Sequence, residues 1–476
     1  MHGQNFVGGA WVGATDGETY SKPNPSRRSE SLGPVAASGA ADAADAAVVA
    51  AEAAARWAGL PIAQRAAYLV RAADVLNAQI EEIARDMTIE MGKPLRESRG
   101  EAARAVAILR FAAGEALRPV GEHYEQAATG ASVSTRRRPV GVVALITPWN
   151  FPLAIPVWKL APALVYGNAV VLKLAYEAPR TGLHLAAAFS EAGLPAGVLN
   201  VLTGRGSTVG AALVHDPHVN AISFTGSTET GAWVRDEATA RGKRVQLELG
   251  GHNPLLVMAD ADLDRAAEAA YAGAFWSAGQ KCTATRRIYV EAPVYDKFRE
   301  RLLARIGRGH VGDPLDLQTE VGPLVNESQF EDVVSAIERG AADGGRLVEG
   351  GTTHSDGYLV LPTVFEDVAD DAFLSCEEVF GPVTSLYRFD TLDEALERAN
   401  AVPFGLSASI FTSSLETALA FERTAQAGIL HVNSQTAGAD IHVPFGGIKA
   451  SGWGPHEQGR AAIEFYTDVI TVYVDA

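Results

Sequence analysis

The chain contains the run Val142-Val143-Ala144-Leu145-Ile146, a short apolar stretch with no polar face to turn toward water. Four similar runs follow at residues 169–172, 198–202, 221–224 and 245–249, and the stretches between them, such as 180–192 and 228–238, have helical patterns. Continuous apolar strands that alternate with helices predict a parallel sheet covered on both faces. The sequence therefore predicts a doubly wound α/β domain.

A second α/β block begins near residue 254. Its apolar runs, at residues 254–258, 287–290, 406–411 and 428–432, alternate with helical stretches such as 293–306. From about residue 38 onward the region before the first sheet is helical, and its apolar residues from Leu69 to Met87 recur at steps of three and four, which predicts one buried helical face. The predicted fold class is α/β, with two α/β domains.

Composition excludes several classes of protein. The 476 residues suggest about three structural units, and a net charge of −17 makes nucleic acid a poor partner. The longest apolar stretch, Leu160 to Leu172, falls short of the roughly 20 residues that span a bilayer, so we expect a soluble protein without a membrane partner. Two cysteines cannot form a disulfide framework and favour a cytoplasmic setting. The histidines are scattered, so no catalytic metal is expected.

Cys282 follows an irregular, polar approach, Gly279-Gln280-Lys281. It can be a buried structural thiol, since free cysteine is among the most buried residue types. It can also be a nucleophile whose pKa is lowered by a nearby cation. Cys376 lies beside two glutamates, which disfavour a thiolate, so we expect a structural or incidental role there.

Glu248 ends an apolar run and precedes two glycines. Because an unpaired buried carboxylate is costly, Glu248 is either a satisfied core acid or a general base with a raised pKa. Asn150, within Thr147-Pro148-Trp149-Asn150-Phe151-Pro152, lies at a strand end between two prolines. It is either a turn residue or a side-chain donor to a developing oxyanion.

Two glycine-containing loops, residues 204–210 and 224–231, follow predicted strands. The second opens a helix, whose N-terminal N–H groups can hold a phosphate. Neither loop has the usual dinucleotide spacing or a triphosphatase ending, so each is weak evidence alone.

Taken together, these segments resemble the aldehyde dehydrogenase superfamily over nearly the whole chain. The matching pieces are residues 147–152, the Lys173 segment, and residues 224–229, 248–251, 279–282, 378–382 and 444–447. The resemblance implies that Cys282 attacks an aldehyde, while Asn150 and the backbone N–H of Cys282 hold the oxyanion. Hydride then leaves for a nicotinamide, and Glu248 activates the water that hydrolyses the thioester to a carboxylic acid.

The resemblance also implies an architecture. It predicts a dinucleotide-binding domain from residues 1–118 and 140–250, a catalytic domain from residues 251–450, and a small β oligomerisation extension from residues 119–139 and 451–476. Strands of that extension are expected to pair across subunits, since an exposed apolar edge seeks a partner, and to form a homodimer or homotetramer.

The implied cofactor-binding residues are Thr147, Pro148, Trp149, Lys173, Tyr176, Gly206, Phe224, Gly226, Ser227, Leu249, Gly250, Glu378 and Phe380. The phosphates are expected near Ser227, the adenosine ribose near Lys173 and the nicotinamide ribose near Glu378. One position departs from the family, which often has an acid where this chain has Tyr176. Loss of that acid leaves room for a 2′-phosphate, so NAD and NADP both stay open.

The implied substrate pocket consists of Phe151, Ile155, Trp158, Lys281, Thr283 and Phe445. Residues 442–447 and 454–460 resemble bacterial 2-oxoglutarate semialdehyde dehydrogenases, so 2-oxoglutarate semialdehyde (2,5-dioxopentanoate) is the preferred substrate. The apolar pocket also suits an aromatic or medium aliphatic aldehyde of the vanillin or benzaldehyde type. Succinate semialdehyde is less favoured, since an arginine typical of those enzymes is missing after the Asn-Phe-Pro turn. An acylating dehydrogenase, a thiol hydrolase and a non-catalytic scaffold are the remaining alternatives.

Overall fold

The computed structural model describes residues 3–118, 120–352 and 356–474. The predicted domain ranges also include residues 1, 2, 119, 353–355, 475 and 476, which lie outside the described residues. The helices of the described residues are Ala40–Ala58, Ile62–Ala78, Ile80–Met91, Leu95–Glu115, Ala154–Val165, Pro179–Glu191, Ala211–His215, Thr228–Thr239, Leu263–Phe275, Tyr295–Ile306, Glu327–Ala342, Phe373–Cys376, Leu392–Asn400, Leu415–Thr424 and Ala462–Tyr466. In the described part of the chain, no helix combines the length and the apolar character that crossing a membrane requires.

An eight-stranded sheet forms the first structural unit. Its strands, in spatial order, are Ala10–Val12, Asn5–Val7, Leu199–Leu202, Ala169–Lys173, Val142–Ile146, Ala221–Thr225, Arg244–Glu248 and Gly452–Trp453. The five strands from Leu199–Leu202 to Arg244–Glu248 are parallel. Helices cover both faces, which explains why the central strands are apolar at nearly every position. The predicted doubly wound parallel sheet is confirmed.

A seven-stranded sheet forms the second unit. Its strands, in spatial order, are Arg346–Thr352, Val360–Glu366, Val383–Phe389, Thr285–Glu291, Asn253–Val257, Ser407–Phe411 and Ile429–Val432. All neighbouring pairs are parallel except the first. The second α/β unit is thus also present, with its own apolar core.

A three-stranded antiparallel sheet, in the order Thr467–Val474, Ser132–Pro139 and His123–Glu125, extends from the first unit. Three two-stranded pairs complete the sheets of the described chain: Thr19–Tyr20 with Val35–Ala36, Pro23–Asn24 with Arg27–Ser31, and Phe404–Gly405 with Ile448–Lys449.

Two expectations need correction. The range 451–476 is not wholly an oligomerisation extension, because Gly452–Trp453 pairs with Arg244–Glu248 as an edge strand of the eight-stranded sheet. The apolar face from Leu69 to Met87 is not one helix, because the chain leaves helical geometry at Gln79, with φ −110° and ψ 12°. Leu69 and Met87 are nevertheless both fully buried against the same core.

Candidate active site

A cleft of about 550 Å³ lies between the two large sheets. One wall is formed by the segments that follow three strands of the first sheet at their carboxyl ends, where open α/β sheets bind ligands. These segments contribute Pro148, Trp149, Asn150, Thr225, Gly226, Ser227, Leu249 and Gly250, while Cys282, Gln329, Glu378 and Phe380 come from the second unit. The fold therefore brings Cys282 and Asn150 to a single site.

The approach to Cys282 has an unusual backbone. Ser277, Ala278 and Gly279 all lie in the left-handed region, with φ of 57°, 52° and 67°, which costs a non-glycine residue about 1–3 kcal/mol when the surroundings enforce it. Glu97 enforces it by accepting from the Ser277 backbone N–H (3.0 Å) and hydroxyl (2.5 Å). The cysteine is thus presented by a strained and firmly tied loop.

The thiol of Cys282 is protonated at neutral pH in this state. Burial, with further contributions from the carboxylates of Glu378 and Glu248, raises the pKa of Cys282 to about 12. The expectation that a nearby cation lowers this pKa is wrong. The ammonium of Lys281 turns away, donating to the carbonyl of Ala272 (2.9 Å) in the interior, where burial lowers the pKa of Lys281 to about 8. The nucleophile therefore needs a base or an added positive charge.

Hydrogen bonds fix both the side chain and the main-chain carbonyl of Asn150. Its side-chain amide donates to the carbonyl of Gln280 (3.1 Å), two residues before Cys282. Its side-chain oxygen accepts from the backbone N–H of Phe151 (3.1 Å). Lys93 donates to its main-chain carbonyl (2.7 Å). The amide donor thus lies against the loop that carries the thiol, on the same cleft.

A buried ion pair behind this turn was missed by sequence reasoning. The side chains of Lys93 and Glu101 are each 1% exposed and pair with one another. Glu101 also accepts from the backbone N–H groups of Leu153 (2.9 Å) and Ala154 (3.1 Å), at the start of a helix. A glutamate on the buried face of Leu95–Glu115 was the available signal.

Glu248 ends its strand 3% exposed, and its Oε2 has no hydrogen-bond partner among the described residues. Burial and then the charge of Glu457 hold the pKa of Glu248 well above its usual value, against the opposing effect of Lys159. Glu248 does not itself line the cleft, although its charge acts on Cys282. A carboxylate in this environment suits proton transfer near neutral pH.

A buried polar network stands behind Glu248. Lys159 pairs with Glu457 and donates to the hydroxyl of Ser223 (2.8 Å), and the indole of Trp158 donates to the other oxygen of Glu457 (2.7 Å). Lys159 is charged yet lies in the otherwise apolar helix Ala154–Val165, which is the signal that sequence reasoning overlooked.

The cleft has the features of a dinucleotide cradle. A Cβ on Gly250 would lie 2.2 Å from Oε2 of Glu378, so any larger residue at position 250 would force this carboxylate to move. Burial raises the pKa of Glu378 to about 7. Trp149 and Phe380 meet edge-on at 5.5 Å from opposite walls. Ser227 caps the helix Thr228–Thr239, whose N-terminus provides N–H groups for a phosphate. These residues fit a nicotinamide dinucleotide.

Lys173, Tyr176 and Gly206 lie beyond this cleft. Lys173 is buried, and its ammonium would be 3.8 Å from a Cβ on Gly206. Tyr176 stacks on Tyr20 (4.1 Å), while the exposed Arg205 packs over its ring at 4.6 Å. Lys173, on which the charge of Glu177 acts, and Arg205 therefore mark the expected adenosine end, and position 176 has no carboxylate.

Several predicted residues lie elsewhere. Thr147 is buried beside the strand of Lys173, and the ring of Phe224 lies beneath Gly226 rather than in the cleft. Of the predicted substrate residues, Ile155 lines the cleft. Phe151 faces the Lys93 ammonium at 3.8 Å, and Trp158 packs against Phe445 at 5.5 Å.

The substrate pocket predicted from the sequence also includes Lys281 and Thr283. Both are buried outside the cleft lining. The ammonium of Lys281 is bound to the Ala272 carbonyl, and the carbonyl of Thr283 accepts from Thr436 (2.8 Å). Lys281 precedes Cys282 and Thr283 follows it in sequence, but neighbouring side chains of an irregular loop need not face the same side.

Comparison with known proteins gives consistent results. The aldehyde dehydrogenase family matches residues 11–472. The chain is 45% identical over 475 residues to alpha-ketoglutaric semialdehyde dehydrogenase of Bacillus subtilis (strain 168), covering 99% of this chain and 97% of that protein. It is 36% identical to an E. coli NADP dependent enzyme, with a TM-score of 0.96 and coverage of 99% and 98%. It is 35% identical to an aldehyde dehydrogenase from Bacillus cereus solved as its NAD+ complex, with a TM-score of 0.96 and coverage of 99% and 96%.

Proposed function

The chain belongs to the aldehyde dehydrogenase family, and on that premise we propose that this NAD(P)-dependent enzyme oxidises 2-oxoglutarate semialdehyde (2,5-dioxopentanoate) to the dicarboxylic acid. The proposed substrate rests on the similarity to the Bacillus subtilis alpha-ketoglutaric semialdehyde dehydrogenase across 99% of the chain. The observation that supports the reaction is the single cleft shared by Cys282, Asn150 and the dinucleotide cradle.

In the proposed mechanism, the thiol of Cys282 gives its proton to the carboxylate of Glu248, which passes that proton on before the water step. Sγ forms a bond to the aldehyde carbon, and the carbonyl oxygen takes the negative charge. The Asn150 amide, which donates to a neighbouring carbonyl in the free state, turns to this oxygen together with the Cys282 backbone N–H. A nicotinamide dinucleotide bound in the cleft would accept a hydride from this carbon, which would leave an acyl group joined to the sulfur as a thioester. Trp149 and Phe380, which meet edge-on at 5.5 Å, would hold the nicotinamide end in the cleft that Cys282 also lines.

Glu248 then acts as the general base. Its carboxylate accepts a proton from water as the water oxygen bonds to the acyl carbon, the C–S bond breaks, and Cys282 leaves as thiolate. The pKa of Glu248, raised by burial, suits this role because a base works best near the operating pH. Lys159 and Glu457 lie behind it and offer hydrogen-bonding groups along which the proton can leave the site.

The cofactor end of the cleft supports use of NADP. A carboxylate that would accept from the ribose 2′-hydroxyl is replaced by Tyr176, while Lys173 and Arg205 bring positive charge to the same place. An arginine in this location accommodates a 2′-phosphate. We therefore propose that the enzyme accepts NADP at least as well as NAD.

We further propose a homo-oligomer in the cytoplasm. The three-stranded sheet exposes Val469, Tyr473 and Val474 at 54%, 62% and 58%, and such apolar strands need a covering partner. A catalytic thiol must stay reduced, which favours the cytoplasm. Sedimentation of the parent chain and of a Val469→Lys variant tests the assembly: a monomeric parent would refute it.

The test of function is a matrix of aldehydes against NAD and NADP, followed as reduced nicotinamide absorbance and scored by kcat/KM. We expect the highest value with 2-oxoglutarate semialdehyde, above pentanal, benzaldehyde and succinate semialdehyde. A higher kcat/KM for benzaldehyde would replace the proposed substrate with an aromatic one. Absence of absorbance change with every aldehyde would favour a thiol hydrolase.

A further inference from the structure

Arg104 lies on the helix Leu95–Glu115, one turn after Glu101 and one turn before Ile108. Glu101 touches the start of the helix that follows the Asn150 turn, through Leu153 and Ala154. Arg104 is therefore about 5 Å further along the same face, beside the catalytic turn rather than on the far side of the helix.

The guanidinium of Arg104 is half-buried, and it donates to the side-chain oxygen of Gln458 (3.2 Å). Burial lowers the pKa of Arg104, with Asp440 and Glu101 acting in the opposite direction. Within the described chain Arg104 forms no ion pair with a carboxylate at contact distance, because Glu101 is already paired with Lys93 and Asp440 acts only at longer range. A partly desolvated cation thus retains donors for an anionic group.

Gln458 has two features that its fold position alone does not explain. Its backbone has φ 60° and ψ 173°, a conformation that is essentially restricted to glycine and is retained mostly at functional sites. Its side chain is 4% exposed, and its Nε2 has no hydrogen-bond partner among the described residues. A buried amide donor without an acceptor needs an explanation, and an oxygen atom of a bound ligand would be a suitable acceptor.

The position of Gln458 connects it to the reaction site. The preceding residue, Glu457, exchanges two backbone hydrogen bonds of 2.7 Å with Phe445 and accepts from the indole of Trp158. Trp158 lies one helical turn after Ile155, which lines the cleft with Cys282. Ile155, the Trp158–Phe445 aromatic pair and Gln458 therefore connect the cleft with the guanidinium of Arg104, and Trp158 and Gln458 line one small cavity.

We propose that Arg104 and the side-chain amide of Gln458 bind the carboxylate of the substrate, and thereby select an aldehyde with a carboxylate at its far end. This inference rests on the proposed function and names the residues that give it its substrate preference. The guanidinium donates two N–H groups to an anion of matching planar geometry, the amide donates a third, and the intervening aromatic pair contacts the carbon chain. The proposed role of Gln458 also gives a physical reason for the resemblance of residues 454–460 to 2-oxoglutarate semialdehyde dehydrogenases.

The test uses the full-length enzyme with 2-oxoglutarate semialdehyde and pentanal, two five-carbon aldehydes that differ only in the 2-oxo and carboxylate groups at the far end. The measured quantity is the ratio of their kcat/KM values. We expect Arg104→Met to lower this ratio roughly 10- to 100-fold, as expected for hydrogen bonds to a charged group, with most of the loss in KM for the semialdehyde. Arg104→Lys is expected to restore only part of it, since an ammonium lacks the planar fork.

Arg110→Met is the matched control. Arg110 lies on the same helix but is exposed and paired with Asp74, so the ratio is expected to stay at the parent value. A second readout is inhibition of pentanal oxidation by 2-oxoglutarate. Its Ki should rise with Arg104→Met and with Gln458→Met, whichever of the two variants folds.

The outcomes separate the two proposals. A parent enzyme with a ratio near one would overturn the proposed substrate, and this inference with it. A parent that prefers the semialdehyde, together with variants at Arg104 and Gln458 that keep the same ratio and Ki, would overturn this inference alone. An equal fall in activity toward both aldehydes would assign Arg104 a structural role and would also overturn it.

Discussion

Removal of one partner of the buried Lys93–Glu101 pair is expected to damage both stability and catalysis. Glu101 neutralises Lys93 and accepts from the N–H groups of Leu153 and Ala154, while Lys93 fixes the carbonyl of Asn150. Both side chains are 1% exposed, and breaking a buried pair leaves an uncompensated charge that costs about 3–5 kcal/mol. We expect Glu101→Gln and Lys93→Met each to lower the free energy of unfolding in urea by that amount.

The same variants are expected to lower kcat, because the turn that carries the Asn150 amide loses its anchor. A displacement of about 1 Å in a positioning group can cost roughly 100-fold. The combination Lys93→Met with Glu101→Leu leaves no unpaired charge, so its loss of stability should be smaller than the sum of the two single losses.

The matched control is the Arg99–Glu81 pair, whose side chains are 40% and 66% exposed. Glu81→Gln should cost less than about 1 kcal/mol, as exposed pairs do, and should leave kcat unchanged. The reasoning is refuted if Glu101→Gln is as stable as the parent, or if it unfolds more easily while kcat stays at the parent value.

The geometry of the site leads to four further predictions. Glu248→Gln should keep a first burst of reduced cofactor and lower steady turnover by about 100-fold or more; parent turnover would remove Glu248 from the mechanism. Since Glu248 must be ionised to accept a proton and its pKa is raised, parent kcat should fall as the pH drops through that pKa, and a pH profile lacking this limb would contradict the assignment. Asn150→Ala should lower kcat/KM by roughly 100- to 1000-fold. Gly250→Ala should raise the Kd of the cofactor, measured by calorimetry, because its Cβ would lie 2.2 Å from Glu378; an unchanged Kd would mean that Glu378 moves freely.

The sheets could be predicted from the sequence because their strands are buried on both faces. Runs such as Val142–Ile146 contain no polar position, and that pattern has few other structural solutions. The edge strand Gly452–Trp453 could not be predicted in this way. It is two residues long, has no apolar run, and joins the sheet only because a distant strand ends beside it.

Site residues at strand ends could likewise be predicted from the sequence, whereas the side-chain directions in irregular loops could not. Asn150, Gly226 and Gly250 follow strand ends, and the carboxyl ends of parallel strands converge, so sequence position alone places them in one cleft. Lys281 shows the limit of that reasoning, since its neighbour Cys282 faces the cleft while its own ammonium is held by Ala272. In an irregular loop the direction of each side chain is set by tertiary contacts, which adjacent sequence does not encode.

Charged residues in apolar segments are the signal that sequence reasoning used least. Lys159, Glu101 and Glu248 each interrupt a buried helix face or strand, and burying such groups is costly unless each finds a partner. Lys159 pairs with Glu457, 298 residues away, whereas Glu101 pairs with Lys93, only 8 residues before it in the chain. Glu248 differs from the other two because one of its oxygens has no partner in the described chain. A buried carboxylate that remains unsatisfied while its neighbours are paired has a raised pKa and a free acceptor, and those are the two properties that a base for water requires.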